Sequence, residues 1–356
     1  MSFVSFVDSP KPMTAYSQLR EELAAEPRTW LITGVAGFIG SHLLEALLRL
    51  DQRVTGLDNF STGSPQNLAD VQARMDAEKW ARFTLHEGSV ADMGVCREAS
   101  DHVDYVLHHA GFISVPLSIE DPLGCHETNV TGTLNLLAAA RDNRVRRVVY
   151  ASSSAVYGDD AAMPKIESRI GRALSPYGAS KLMDEIYARQ FFDHYGLENT
   201  GLRYFNIFGP RQNPTGGYAA VIPQWITALV RGGECVIHGD GGITRDFCHV
   251  ANVVQANLLA ATTRNRAVLG EVFNVAGGAS TTLADLYAGI SARVAGVTGT
   301  PARPVKYGPP RAGDIQHSSA DIGKIRRELG FEPLVSVDAG LEETVRWYAT
   351  ARGRLP

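Results

Sequence analysis

Two side chains with the spacing needed for proton transfer lie in the segment Ser175-Pro176-Tyr177-Gly178-Ala179-Ser180-Lys181. Serine is a common helix N-cap and proline a common first helical residue, so this segment predicts a helix that begins around Tyr177 and stops at Gly196. Tyr177 and Lys181 then share one helix face, where an ammonium favours a phenolate. A free tyrosine, with a pKa of about 10, is a poor base at neutral pH. The spacing therefore predicts a general base, although the same pair also occurs on ordinary surface helices.

A run of hydroxyls ends the apolar pattern at 148–154, which reads Val-Val-Tyr-Ala-Ser-Ser-Ser. The ends of parallel strands line the ligand crevice of an α/β sheet. We therefore expect Ser153 to hydrogen-bond a reacting hydroxyl. The alternative is that the three serines simply begin a loop.

A glycine-rich turn, Gly34 to Gly40, follows an apolar strand pattern and opens a helical pattern. Such a turn lets the backbone approach a pyrophosphate at a helix N-terminus. Asp58 ends the next strand pattern, 18 residues after Gly40, where a carboxylate accepts hydrogen bonds from a ribose and repels a 2′-phosphate. NAD is thus predicted in preference to NADP. The alternatives are an ordinary turn and a turn cap at Asp58.

These residues lie at the ends of strand patterns that alternate with helical ones. The predicted strands are Thr29–Thr33, Arg53–Asp58, Phe83–Glu87, Tyr105–His109, Arg147–Ser152 and Thr200–Phe205. Such alternation predicts an α/β fold, a doubly wound parallel sheet of the Rossmann type, with a smaller C-terminal substrate-binding lobe. We divide the chain into a tail and helix at 1–28, the dinucleotide-binding domain at 29–209, and the lobe at 210–356, with 246–276 returning to the first domain. Helices are predicted around 14–26, 283–295 and 335–350.

Composition excludes several classes of function. The formal net charge of −4 and the absence of a basic run predict no nucleic-acid partner. No apolar stretch approaches the roughly 18 to 20 residues of a bilayer span and no secretory signal begins the chain, so we expect no membrane association and a cytoplasmic location. The four cysteines are far apart in sequence and predict free thiols. His108 and His109 lack a matching ligand set, so we expect no metal and a structural role for both.

Six motifs together resemble the extended short-chain dehydrogenase/reductases. They are GVAGFIG at 34–40, HHAG at 108–111, NVTGT at 129–133, SSAVYG at 153–158, YGASK at 177–181 and LRYFNIFGPRQ at 202–212. AAVIP at 219–223, TRDFCHV at 244–250 and RAGD at 311–314 further resemble the UDP-hexose 4-epimerases, especially bacterial enzymes that interconvert UDP-N-acetylglucosamine and UDP-N-acetylgalactosamine for surface polysaccharides. The resemblance covers nearly the whole chain.

The resemblance implies roles for individual residues. Ser153, Tyr177 and Lys181 would be catalytic. The residues implied to bind NAD are Gly34, Gly37, Phe38, Ile39, Gly40, Asp58, Asn59, Phe60, Ser61, Thr62, Gly63, Ser89, Val90, His109, Ala110, Gly111, Asn129, Tyr177, Lys181 and Tyr204. Those implied to bind the UDP-sugar are Ser114, Ser153, Ser154, Asn206, Gln212, Ala220, Val221, Ile222, His238, Arg245, Arg311, Asp314 and Ser318. Among these, Asn206, Arg245 and Arg311 would hold the pyrophosphate, since arginine can give two charge-assisted bonds to phosphate oxygens.

The implied sugar is N-acetylated because Ser318 stands at a gate position where tyrosine would narrow the pocket. Gln212, Ala220 and Ser154 also match the N-acetyl-preferring members of the family. Three residues depart from the pattern: Ile113 replaces glycine, Ala155 replaces a serine, and Ser89 replaces an aspartate near adenine. Ile113 would reshape the sugar pocket.

Other functions stay open on the sequence. They are epimerisation of plain or uronic UDP-sugars, nucleotide-sugar dehydration or decarboxylation, net oxidation, and non-catalytic dinucleotide sensing. A lyase would need an acid close after the catalytic hydroxyl, where this chain has Ser154 and Ala155. The resemblance further implies a homodimer formed through helices at 123–143 and 176–195.

Overall fold

The computed structural model describes residues 14–215, 220–310 and 316–350. Arg311 and Asp314, which the sequence places at the substrate, lie outside the described residues, as does most of the predicted tail. Among the described helices, none combines the length and the apolar character that a bilayer crossing requires.

Strands and helices alternate through the first two thirds of the chain. The described strands are β1 (Thr29–Thr33), β2 (Arg53–Asp58), β3 (Phe83–Glu87), β4 (Tyr105–His108), β5 (Arg147–Ser153), β6 (Glu198–Tyr204), β7 (Asn206–Phe208), β8 (Val236–His238), β9 (Thr244–His249), β10 (Glu271–Val275), β11 (Ser280–Thr282), β12 (Lys306–Gly308) and β13 (His317–Ser318). The described α-helices are α1 (Ala15–Ala25), α2 (Phe38–Arg49), α3 (Pro65–Gln72), α4 (Ala77–Trp80), α5 (Met93–Ala99), α6 (Val115–Glu120), α7 (Pro122–His126), α8 (Gly132–Asp142), α9 (Pro176–Tyr195), α10 (Val221–Val230), α11 (Val250–Thr262), α12 (Leu283–Thr298), α13 (Gly323–Leu329) and α14 (Val337–Thr350).

Seven strands form a parallel central sheet in the order β10-β6-β5-β4-β1-β2-β3. The chain runs outward from β1 through β2 and β3 and then returns to the other side of β1 at β4. This reversal leaves a crevice beyond the carboxyl ends of β1 and β4, where ligands of open α/β sheets bind. The predicted doubly wound sheet is therefore confirmed.

Apolar residues on both faces hold this sheet between two helical layers. Along β1, Trp30 and Ile32 pack into one core cluster and Leu31 into the other, because successive side chains of a strand point to opposite faces. All three side chains are fully buried. A strand covered on both faces is continuously apolar, which is why β1 was recognisable in the sequence.

A smaller lobe follows β6. It contains a sheet in which β9 lies between β11 and β13 and also pairs with β7, and a two-stranded sheet of β8 and β12. Helices α10, α12 and α14 enclose a separate apolar core around Trp225, Ile290 and Val345. Within the segment 246–276, α11 and β10 pack with the central sheet, whereas the end of β9 belongs to the lobe.

Three predicted strand boundaries were wrong by one or two residues. β4 ends at His108, β5 continues to Ser153, and β6 runs from Glu198 to Tyr204. The β5 correction matters for the chemistry because the pairing of β5 with β6 extends to the Ser153–Tyr204 register. Strand β10 was not among the predicted strands.

Candidate active site

Helix α9 places Tyr177 and Lys181 as their spacing predicted. Ser175 caps the helix by accepting a hydrogen bond from Gly178 N at 3.0 Å, and Pro176 occupies the first turn. Gly196 ends the helix with φ of +68°. The backbone N–H of Tyr177 also donates to Ser118 Oγ at 3.1 Å, which ties the start of α9 to α6.

The ammonium of Lys181 lies in the interior, with 5% of the residue exposed. Its Nζ is 3.1 Å from Asp184 Oδ2. Burial by itself lowers the pKa of Lys181, but the carboxylate of Asp184 and the phenol of Tyr177 more than offset this effect. The pKa of Lys181 is therefore raised, and the side chain is a cation at neutral pH.

Ser153 ends β5 opposite the end of β6 and immediately before a 3₁₀ turn at Ser154–Tyr157. Its Oγ accepts a hydrogen bond from Ala155 N at 3.1 Å, so the serine does begin a turn, as the alternative stated. The hydroxyl hydrogen is still available to a ligand, because one group both donates and accepts. A Cβ at Gly178 would lie 2.9 Å from Ala155 O, so the first turn of α9 packs closely on the turn that follows Ser153.

The glycine-rich turn has the geometry that a pyrophosphate requires. Gly34 has φ of +70°, and a Cβ at Gly40 would lie 2.0 Å from Gly34 O, inside any permitted contact. Only glycine at position 40 lets α2 start this close to β1. Within the described residues no side chain caps the N-terminus of α2 at Gly37, so its amide groups can receive an anion.

Asp58 lies beside this turn at the end of β2. Its Oδ2 accepts a hydrogen bond from Ala36 N at 2.8 Å and its Oδ1 accepts one from Phe60 N at 2.8 Å. The turn-cap alternative is thus observed. Each carboxylate oxygen can accept more than one hydrogen bond, which leaves room for a ribose hydroxyl. Gly63 allows the following loop to return to Asp58, since a Cβ there would lie 2.8 Å from Oδ1.

Other residues that the sequence predicts to bind the cofactor lie in loops around this crevice. Phe38 and Ile39 start α2, and Asn59, Ser61 and Thr62 follow Asp58 on the surface. Ser89 accepts a hydrogen bond from Ala91 N at 3.2 Å, and Val90 packs against Gly132 of α8. These three loops follow β1, β2 and β3 and meet only because the sheet brings the ends of the strands together.

His108 is fixed inside the protein by two threonines, as expected of a structural residue. Its Nδ1 is 2.7 Å from Thr33 Oγ1 and its Nε2 is 3.0 Å from Thr133 Oγ1. Burial, with a smaller contribution from the Lys181 charge, holds the pKa of His108 well below its ordinary value. The imidazole is therefore neutral. No group of three or more potential ligands in the described ranges could hold a metal ion.

His109 and Tyr204 contact each other across the sheet. The His109 Nε2 is 2.9 Å from the Tyr204 hydroxyl, and the two rings are stacked with centroids 5.9 Å apart. Asn257 of α11 donates to the same hydroxyl at 2.8 Å. Burial lowers the pKa of His109 to about 4 and raises that of Tyr204. Both side chains are neutral parts of the crevice wall.

Asn129 lies in a π-helical turn, Glu127–Thr131, between α7 and α8. Its Oδ1 accepts from Phe112 N at 2.7 Å, and its Nδ2 donates to Phe112 O at 3.1 Å and to Ser180 Oγ at 2.8 Å. The amide thereby connects the loop after β4 to α9. A Cβ at Gly111 would lie 3.1 Å from Asn129 Oδ1 and 3.6 Å from Lys181 Nζ, so glycine keeps the approach to the ammonium open. Single π turns are frequent at functional sites.

The lobe carries most of the predicted substrate residues. Ser318 pairs with Arg245 between β13 and β9, and Arg245 donates to Thr244 O at 2.9 Å. Asn206 donates to Asp246 O at 3.2 Å, which places β7 beside the same strand. The structure therefore brings Asn206, Arg245 and Ser318 together from positions up to 112 residues apart.

The remaining predicted substrate residues are divided between the lobe and the loops that follow β4 and β5 of the central sheet. His238 ends β8 and its Nδ1 is 3.0 Å from Pro309 O, while the Gln212 amide donates to Ile207 O at 3.1 Å. Ala220 precedes α10 and Val221 starts it, but Ile222 is only 2% exposed and belongs to the lobe core. Ser114 caps α6, and Ser154 starts the turn after Ser153.

Sequence reasoning missed two buried acids at this site. Asp184 pairs with Lys181, and Asp246 accepts hydrogen bonds from Gly277 N at 2.8 Å and Gly278 N at 3.1 Å. Burial raises the pKa of Asp246 to about 6. The spacing of Lys181 and Asp184 on one helix was a usable signal for the first acid. Nothing local marks the second, because its partners come from a distant loop.

The chain is similar in sequence to a known protein family and to individual proteins. The profile described as the NAD dependent epimerase/dehydratase family matches residues 30–276. A UDP-glucose 4-epimerase of Mycolicibacterium smegmatis is 36% identical in an alignment of 322 residues that covers 89% of this chain and 97% of that protein.

Two solved structures have the same fold. The UDP-N-acetylglucosamine 4-epimerase from Methanobrevibacter ruminantium M1, in complex with UDP-N-acetylmuramic acid, is 37% identical with a TM-score of 0.81, covering 91% of this chain and 99% of that one. The dTDP-glucose 4,6-dehydratase DesIV from Streptomyces venezuelae, solved with NAD bound, is 34% identical with a TM-score of 0.78, covering 91% of this chain and 98% of that one.

Proposed function

This chain belongs to the NAD dependent epimerase/dehydratase family, and we propose that it interconverts UDP-N-acetylglucosamine and UDP-N-acetylgalactosamine by inverting C4 of the sugar. In coarser terms it is an NAD-dependent UDP-sugar 4-epimerase or a related dehydratase. The choice of an N-acetylated sugar within this range is our proposal.

One observation carries the proposal. The loop after β4, the end of β5 and the start of α9 converge on one side of the β1–β4 crevice, and the glycine-rich turn borders the other side. NAD, when bound across this crevice, supplies a hydride acceptor that can return the same hydride. A base and its cation beside that acceptor are what oxidation of a sugar hydroxyl requires.

The side chains then have separate tasks in the proposed reaction. Tyr177, as phenolate beside Lys181, takes the proton of the sugar 4-hydroxyl, and Ser153 donates a hydrogen bond to the same oxygen. The resulting 4-keto sugar turns about its pyrophosphate, and Tyr177 gives the proton back after hydride returns to the opposite face. Because the hydride would return to the same sugar, this chain would need no further oxidant or reductant for each turnover.

The lobe would anchor the nucleotide while the sugar turns. Arg245 and Asn206 lie together on neighbouring strands and are our candidates for the pyrophosphate. The guanidinium of Arg245 offers the planar, paired donors that phosphate oxygens accept. Binding energy from the nucleotide can position C4 even though the sugar itself is held loosely.

Ser318 supports the choice of an N-acetylated sugar. It is partly exposed and lies next to Arg245 in the pairing of β13 with β9, so its small side chain leaves space near the proposed anchor. Ile113 would limit the pocket from the opposite loop, where 69% of its surface is exposed. In this proposal a bulky side chain limits the hexose pocket on the Ile113 side only, because Ser318 on the other side is small.

We also propose that the enzyme is a homodimer. A groove of about 500 Å³ lies between α9 and the segment that runs from the end of α7 through the π-helical turn into α8. Its lining is mainly apolar, with Val130, Leu134, Met183, Ile186 and Tyr187 beside the polar His126, Thr131 and Gln190. Ile186 is 53% exposed, and Leu123 of the neighbouring helix α7 is 81% exposed. Contiguous apolar surface of this kind typically marks an interface. Size-exclusion chromatography with light scattering would contradict the proposal by returning a monomer at working concentrations.

The test is direct. Purified protein is incubated without added NAD, first with UDP-N-acetylglucosamine and then with UDP-glucose, and the C4 epimers are followed by NMR. We expect interconversion, faster with the N-acetylated sugar, and its loss in Tyr177→Phe. Faster turnover of UDP-glucose would reject the sugar assignment. Absence of epimerisation with either sugar, in a protein that binds NAD, would reject the epimerase assignment for these substrates.

A further inference from the structure

The pair of Lys181 and Asp184 is the most deeply buried ion pair next to the proposed base among the described residues. The two residues are three apart on α9, with Nζ 3.1 Å from Oδ2, and their side chains are only 6% and 2% exposed. Removing either charge leaves the other without a counter-ion in the interior, which is costly. The ammonium and the carboxylate therefore act on their surroundings as one buried, paired unit.

Other groups around the ammonium are either neutral or already paired. His108 and His109 reach it from the end of β4, and burial lowers the pKa of each below the neutral range. Cys125 of α7 is a buried thiol whose pKa is raised by burial. On α9 itself, the neighbouring Glu185 forms a buried ion pair with Arg203 at 2.8 Å.

Asp184 also joins the hydrogen-bonded residues behind the crevice. Thr133 of α8 lies beside the Asp184 carboxyl group and favours its ionised form, and Thr133 Oγ1 is also 3.0 Å from His108 Nε2. The carboxylate thus has Lys181 on one side and α8 on the other. Tyr150 of β5 is the remaining titratable group nearby, and burial, with added repulsion from Glu185 and Asp184, keeps its phenol protonated by raising its pKa.

We propose that Asp184 is a positioning residue that acts on the reaction through Lys181: its carboxylate offsets part of the positive charge that the buried ammonium exerts on the Tyr177 phenol. This inference rests on the proposed role of Tyr177 as the base. A tyrosine that must take a proton and then return it works best when phenolate and phenol have similar free energies. A lone ammonium would overstabilise the phenolate and weaken it as a base.

Replacing Asp184 by asparagine removes a negative charge next to Lys181 while keeping the shape of the side chain. The phenolate of Tyr177 then forms more easily, and its ionisation moves to lower pH. One neighbouring charge shifts such an ionisation by about one pH unit or more.

The experiment measures ionisation without a substrate. The protein with its bound NAD is titrated in the near ultraviolet, where phenolate absorbs, and the Tyr177→Phe curve is subtracted to isolate Tyr177. The same difference is taken between Asp184→Asn and Asp184→Asn with Tyr177→Phe. We expect the midpoint to fall by about one pH unit in the Asp184→Asn background.

Two controls separate charge from structure. Asp184→Glu restores the carboxylate and should return the midpoint toward that of the wild type. Asp193→Asn removes an exposed acid from the same helix, where Asp193 pairs with Arg189, and should leave the midpoint unchanged. If Asp184→Asn does not fold, Asp184→Ser, which leaves space for a water beside the ammonium, is titrated instead.

An unchanged midpoint in a folded Asp184→Asn protein, or a shift to higher pH, would overturn the inference. The acid limb of the kcat profile for UDP-sugar epimerisation should move in the same direction. If no UDP-sugar is turned over while the midpoint still falls, the proposed function fails and the role of Asp184 stands.

Discussion

Arg203 of β6 and Glu185 of α9 form a bidentate ion pair that joins the central sheet to the proposed catalytic helix. The Nη2–Oε2 distance is 2.8 Å and the Nε–Oε1 distance is 2.9 Å, with both side chains less than one tenth exposed. Arg203 also donates to the Tyr157 hydroxyl at 3.1 Å and to Glu167 O at 3.1 Å. One guanidinium therefore joins α9, the turn after Ser153 and the loop at 167.

Replacing Glu185 by glutamine should lower the free energy of unfolding by about 3 kcal/mol, because it leaves the Arg203 charge buried without a counter-ion. The measurement is urea unfolding followed by circular dichroism. Glu234→Gln is the matched control, since Glu234 pairs with Lys306 where both side chains are more than 60% exposed. That change should cost less than about 1 kcal/mol. Equal costs for the two variants would contradict this account of Arg203.

Replacing Gly40 by alanine should abolish NAD binding. The added Cβ would lie 2.0 Å from Gly34 O, so α2 would have to move away from the turn that receives the pyrophosphate. Nucleotide content of the purified protein, measured after denaturation, reports the loss. Gly296→Ala in α12 is the control, because a Cβ there meets no described atom within 4 Å. Full NAD content in a folded Gly40→Ala protein would count against this site.

We expect the folded protein to lose stability as the pH falls, because it contains buried neutral histidines. The folded protein holds the pKa of His108 well below its ordinary value, and the unfolded chain titrates near pH 6.5. The unfolded state therefore binds more protons below about pH 6.5, and stability is complete above this pH and falls as pH decreases. Each such histidine adds up to about 1.4 kcal/mol per pH unit to the slope. Urea unfolding between pH 7 and pH 5 should show a shallower slope for His108→Gln than for the wild type, and parallel slopes would disprove the role of His108.

Replacing Ser318 by tyrosine should select against the N-acetylated sugar. A large side chain beside Arg245 would fill the space that we assign to the N-acetyl group, whereas a plain hexose needs no such space. We expect kcat/KM for UDP-N-acetylglucosamine to fall by at least about tenfold relative to UDP-glucose, a range that pocket contacts of this size can reach. Ser319→Tyr, one residue further along, is the control. An equal loss for both sugars would place Ser318 outside the sugar pocket.

Much of the fold and part of the site were predictable because they depend on local rules. Ser175, Pro176 and Gly196 set the ends of α9 by capping chemistry that acts within one turn, and the helical repeat then places Tyr177 and Lys181 on one face. The glycine-rich turn and the continuously apolar strand β1 are equally local. These features of the sequence are sufficient to predict a parallel sheet with a dinucleotide site.

Long-range packing decided the rest. The stacking of His109 on Tyr204 joins residues 95 apart, and the pairing of Ser318 with Arg245 joins two short strands that have no pattern of their own. Asp184 was visible as an acid near Lys181, but its burial depends on how α8 and β4 pack against α9. Sequence spacing determines which side chains share a helix or strand, whereas the environment that sets their charge comes from elements that meet only in the folded chain.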